Sequence, residues 1–147
     1  MIPPLDTAGN LPPGIHWATW REIDARFGTS PRRAELLTGL KQALQSLALA
    51  GCHTAYIDGS FVTAKQVPGD FDACWDPLGV DGERLDPTLL DFSDRRKAQK
   101  ARYGGELFPS VAFADPAGNT FLDFFQIDKN TGEAKGIIAI DLKKVLL

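Results

Sequence analysis

A chain of 147 residues has the length of one domain, and its 44% apolar and 24% charged content is ordinary for a globular protein. A net charge of −3 argues against a broad nucleic-acid-binding surface, and no apolar run approaches the length of a membrane span. Cys52 and Cys74 form no Cys-x-x-Cys pair and lack ligand-like spacing to His16 or His53. They read as free thiols of a cytoplasmic protein rather than as zinc ligands.

Residues 1–18 carry Pro3, Pro4, Pro12 and Pro13, which excludes a regular helix and predicts an extended arm. His16 and Trp17 near its end are large for a loose tail, so the arm is expected to pack onto the body or a partner. Thr19 and Glu22 have capping-box spacing, and Gly28 is a stop, giving a short helix near 20–27. Ser30-Pro31 opens a second helix, near 31–50. Its Leu36, Leu37, Leu40, Ala43, Leu44 and Leu47 recur at helical spacing until Gly51. Strands are predicted at 54–58 and 70–75, joined by Gly59-Ser60, a helical turn over 61–66 and a Pro68-Gly69 turn.

Residues 76–92, with Pro77, Gly79, Gly82 and Pro87, read as a connection holding one turn of helix. A helix near 94–103 ends at Gly104-Gly105 and carries a basic cluster of Arg95, Arg96, Lys97, Lys100 and Arg102. That cluster is either a solvated face or a cationic wall toward a nucleotide or acidic partner. Residues 106–114 read as an edge or bulged strand around Pro109, 115–119 as a hairpin turn and 120–127 as a strand. After a turn at 128–132, the β-branched run 136–142 reads as a final strand, with a short helix as the alternative. Helices first, then strands with helices between them, predict an α+β domain over 19–147. Its mixed or antiparallel sheet is backed by helices on one face.

Two features carry chemistry. Asp70 and Asp72 lie one residue apart on a predicted strand, so both side chains point to one face, where they repel unless a cation sits between them. A hard cation such as Mg²⁺ suits such oxygen ligands. Gly59-Ser60, just upstream, offers backbone N–H groups and a hydroxyl to a phosphate chain. Asp123 stands in Phe121-Leu122-Asp123-Phe124-Phe125, where an isolated carboxylate would be costly to bury. Set beside Asp70 and Asp72, it would complete a patch for two Mg²⁺ ions about 4 Å apart. Asp58 and Asp76 read as turn or capping residues, and Glu106, Asp115 and Asp128 as turn or surface acids. No Gly-x-Ser-x-Gly elbow makes Ser60 a nucleophile.

Gly59-Ser60, Asp70-x-Asp72 and the later Asp123 resemble the DNA polymerase beta-like nucleotidyltransferase superfamily, closest to its minimal bacterial members, over roughly residues 31–127. Ala64 and Gly69 stand where those members often carry a glycine and a serine. The resemblance implies a nucleotidyltransferase-like fold and Mg²⁺-dependent transfer of a nucleoside monophosphate from an NTP, ATP among the candidates, to an acceptor hydroxyl on protein, RNA or a small molecule. It implies metal binding by Asp70, Asp72 and Asp123, and phosphate binding by Gly59 and Ser60. Lys65, close to the Gly-Ser turn, is a further candidate phosphate ligand. The alternatives are a toxin–antitoxin-type partner, acting through the arm with Trp17 and Trp20, and a nucleotide-binding domain without turnover. A tRNA acceptor belongs to the same set of expectations.

Overall fold

In a computed structural model the chain is described over residues 1–65 and 68–144, with Ser60 described through its backbone. Five strands form one sheet: β1 (Gly14–Trp17), β2 (Thr54–Asp58), β3 (Phe71–Trp75), β4 (Gly105–Pro109) and β5 (Gly136–Asp141). Their order across the sheet is β1-β5-β2-β3-β4. The outer pairs β1/β5 and β3/β4 are parallel, and the inner pairs β5/β2 and β2/β3 are antiparallel. The fold is therefore α+β with a mixed sheet.

Helix α1 (Trp20–Phe27) begins on the expected capping box, with the Glu22 N–H donating to Thr19 Oγ1 and the Thr19 N–H to Glu22 Oε1. Helix α2 (Pro31–Leu49) is capped by Ser30, whose hydroxyl accepts the Arg33 N–H. Its leucines, with Ile23 and Phe27 of α1 and Tyr103 of α3 (Ser93–Tyr103), cover one face of the sheet. From that face Ile57, Phe71, Ala73, Leu107 and Ile138 enter the main core. The opposite face carries a smaller cluster of Cys74, Phe108, Ile137 and Phe125, flanked by Tyr56, Phe121 and Leu122.

The extended N-terminal segment packs onto the body: residues 14–17 are an edge strand beside β5, and Ile2 and Leu11 are buried in the main core. Residues 120–127 are no strand. Thr120 caps a one-turn helix, α4 (Phe121–Phe124), by accepting the Asp123 N–H. Spacing of four residues places Phe121 and Phe125 together over the smaller cluster, and Phe121 stacks on Phe108 with centroids 4.0 Å apart. Aromatic burial is met by one helical face, with no need of a strand partner. The predicted strand 106–114 is β4 as far as Pro109, after which the chain turns at Ser110. The final strand, β5, is an inner strand between β1 and β2 and is buried along Gly136–Ile140.

Candidate active site

β2 and β3 run antiparallel with Asp58 opposite Asp72, and β3 and β4 run parallel with Asp72 opposite Glu106. Cross-strand partners share a face. Three adjacent strands therefore present Asp58, Asp72 and Glu106 as a row, on the face of the smaller aromatic cluster, and Asp70 flanks it just ahead of β3. Burial, then Asp70, Glu106 and Asp58, push the Asp72 carboxyl up to about 7. Asp70 is raised by burial and by Glu106, against the pull of Lys100, Arg32 and Lys65. Asp58 is raised by burial, opposed by Lys135, whose Nζ lies 2.9 Å from Asp58 Oδ1. Glu106 meets Arg96 at 3.2 Å and Lys100 at 3.0 Å, so two cations of the basic cluster face this site. Arg102 instead pairs with Asp86 at 2.9 Å. Arg96 reaches Glu106 from a left-handed stretch at the start of α3, with φ of 49°, 55° and 61° at Asp94, Arg95 and Arg96.

Asp58, Asp70 and Asp72 line a cleft of about 590 Å³. Lys65, Lys129 and Lys135 line it too, with Phe124 and Phe125 on one side and Ala8–Asn10 on another. The N-terminal segment is held there by Ala64 N–H donating to the Gly9 carbonyl (3.0 Å) and Asn10 Nδ2 to Asp128 Oδ2 (2.9 Å). Gly59 is required at its position. Its φ is +84°, and a Cβ there would stand 2.8 Å from Asp72 Oδ2 and 3.0 Å from Asp72 N. After it the chain makes a 3-10 turn over Ser60–Val62; the Ser60 side chain lies outside the described residues.

The structure thus brings Gly59, Lys65, Asp70 and Asp72 to one cleft and leaves Asp123 out of it. Asp123 is exposed on α4 and does not line the cleft, because the helical turn that buries Phe121 and Phe125 directs position 123 to solvent. The expected convergence of Asp70, Asp72 and Asp123 does not form. Asp58, Glu106 and Lys135 join the site through strand register and ion pairing, not through any local motif. Asp58 looks like a turn residue until the β2/β3 register sets it opposite Asp72. Glu106, like Asp123, is an acid in an apolar stretch, next to Leu107 and Phe108.

A family model matches residues 3–141, described as a family of unknown function (DUF6932). The chain belongs to the DUF6932 family. No curated protein and no solved structure matches this DUF6932 chain significantly. No helix among its described residues is long and apolar enough to cross a membrane.

As a metal site the arrangement is half assembled. Among the described residues no three acidic, histidine or cysteine side chains are gathered as a ready metal-binding group. The donor chemistry nonetheless fits a hard cation. Asp70 and Asp72 are two partly buried carboxylates, Asp72 raised by burial and by Asp70 and Glu106, and Asp70 by burial and by Glu106, the condition a divalent ion relieves.

Proposed function

We propose that this DUF6932 protein is a Mg²⁺-dependent nucleotidyltransferase of the cytoplasm, transferring a nucleoside monophosphate from an NTP to an acceptor hydroxyl. One observation carries the reading: the carboxylates of Asp58 on β2, Asp72 on β3 and Asp70 just ahead of β3 open onto a lysine-lined cleft beside a glycine that only a bare backbone can occupy. Asp70 and Asp72 would hold Mg²⁺. Asp58, which lines the cleft beside Asp72, is the third carboxylate and is paired there with Lys135. Glu106 lies outside the cleft lining, paired with Arg96 and Lys100, and acts on Asp70 and Asp72 through its charge. Mg²⁺ supplies charge neutralisation on the phosphates and activation of the acceptor oxygen. The chain itself contributes Lys65, Lys129 and Lys135 as cations for a phosphate chain, the Gly59 turn for close backbone approach, and Phe124 with Phe125 as an apolar wall for the base or acceptor.

The test is Mg²⁺-dependent NTP turnover in single variants whose folding is checked by circular dichroism. Asp70→Asn and Asp72→Asn are expected to abolish it, and Asp58→Asn to lower it by roughly a hundredfold or more, since each removes a group lining the cleft where the phosphate would react. Asp123→Asn is expected to leave it within about twofold, as for an exposed residue away from the chemistry. Full turnover in Asp72→Asn would reject the reading, and loss confined to Asp123→Asn would restore the original third carboxylate.

A partner-binding reading keeps one specific observation: Ile15 and Trp17 are 40% and 54% exposed on β1, the strand at the open edge of the sheet. Trp17→Ala would then abolish partner capture while leaving NTP turnover intact.

A further inference from the structure

Helix α2 opens with Pro31-Arg32-Arg33. Arg33 is 5% exposed, and its guanidinium donates to the carbonyls of Phe61 (2.5 Å), Thr63 (2.9 Å) and Lys65 (2.5 Å). Its Cζ lies 5.8 Å from the Phe27 ring centroid and 5.5 Å from that of Phe61. No carboxylate pairs with it among the described residues. Arg32 donates from Nε to the Pro68 carbonyl (3.2 Å) and from its terminal nitrogen to the Gly69 carbonyl.

Two consecutive arginines therefore grip the connection between Gly59-Ser60 and Asp70 at both of its ends. A buried guanidinium with no counter-ion is an expensive way to fill space between two phenylalanines. An aliphatic side chain would pack there at lower cost but could not bind three carbonyls at once. The fork geometry of arginine matches that task, and lysine, a point donor on a flexible stem, does not.

We infer that Arg32 and Arg33 are positioning residues that set the backbone of residues 61–65, which carry Lys65, and of residues 68–69 just ahead of Asp70. Arg33 fixes the phosphate side of the cleft and Arg32 the carboxylate side. The pair also adds positive charge behind the wall where a phosphate chain would lie. The clamp on residues 61–65 and 68–69 is independent of any ligand, whereas its use for phosphates rests on the nucleotidyl-transfer reading.

The test uses the full chain with Arg33→Lys, and with Arg32→Ala as a second, milder variant at a partly exposed position. Amide hydrogen exchange without ligand is read first. Exchange is expected to rise roughly tenfold within 61–65 for Arg33→Lys and at Gly69 and Asp70 for Arg32→Ala, with α2 and β5 unchanged. Titration with a fluorescent ATP analogue and Mg²⁺ then compares Arg33→Lys, Lys65→Ala and the double variant. Arg33→Lys is expected to weaken binding about tenfold alone and less than about threefold on top of Lys65→Ala, because the two act as one unit. Unchanged exchange over 61–65 and 69–70 overturns the inference, as does an equal loss of affinity in both backgrounds. If the unmodified protein binds no nucleotide, the transferase reading falls, and exchange alone decides the clamp.

Discussion

Asp72 concentrates the electrostatic cost of the site. Its carboxyl is pushed up to about 7 by burial and by Asp70, Glu106 and Asp58, against an ordinary value of 3.8. As pH rises from about 4, the unfolded chain ionises this group first, and the folded chain follows only near neutrality. Between those values the unfolded state binds fewer protons, so stability falls as pH rises. At about 1.4 kcal/mol per pH unit the loss from this one residue reaches as much as ~4 kcal/mol. Without divalent metal, Asp72→Asn is expected to match the unmodified protein near pH 4 and to be the more stable of the two at pH 8. Parallel stability curves from pH 4 to 8 would show that Asp72 ionises normally. The two thiols behave differently: burial raises Cys52 to about 11 and Cys74 further, so both are expected to resist thiol reagents in the folded state.

At the scale of elements, the packing of α2 on α3 depends on one glycine. A Cβ at Gly39 would lie 1.8 Å from the Tyr103 carbonyl oxygen and 2.7 Å from its carbon. Tyr103 is in turn tied to Asp86 through its hydroxyl, so the end of α3 is held from both sides. In an isolated helix Gly→Ala is favourable by about 1 kcal/mol. Here the clash must separate two packed helices, and Gly39→Ala is expected to lower stability by a net ~2 kcal/mol. Gly82→Ala, whose Cβ meets nothing within 4 Å, is the neutral control in the same thermal melts. Helix α4 shows the limit of local pattern. Aromatic residues around one acid suit a buried strand or a helical turn equally well, and only Phe108 and Cys74 beneath the segment decide between them.

Over the whole molecule, the N-terminal segment joins core, sheet and cleft. Removing residues 1–18 would take away β1, bare one edge of β5, unfill the places of Ile2 and Leu11, and open the wall formed by Ala8–Asn10. Each buried aliphatic is worth roughly 1.5–3 kcal/mol. The truncated chain is expected to melt far lower and to self-associate through the exposed edge, as size-exclusion chromatography would show. A truncation that stays monomeric with unchanged melting would mean that the segment contributes nothing to the core or the sheet. The sequence by itself left β5 open between strand and short helix, and determined α1, α2 and their caps, strands β2 and β3, the Gly59 turn and the pairing of Asp70 with Asp72. These rest on interactions within a few residues: helical periodicity, side-chain caps, and alternation along one strand. Only the tertiary structure decided that β1 belongs to the sheet, that Asp123 leaves the site, and that Asp58, Glu106, Lys135 and the Arg32–Arg33 pair gather around it. Those depend on strand register and on contacts between residues far apart in the chain, which no local spacing records.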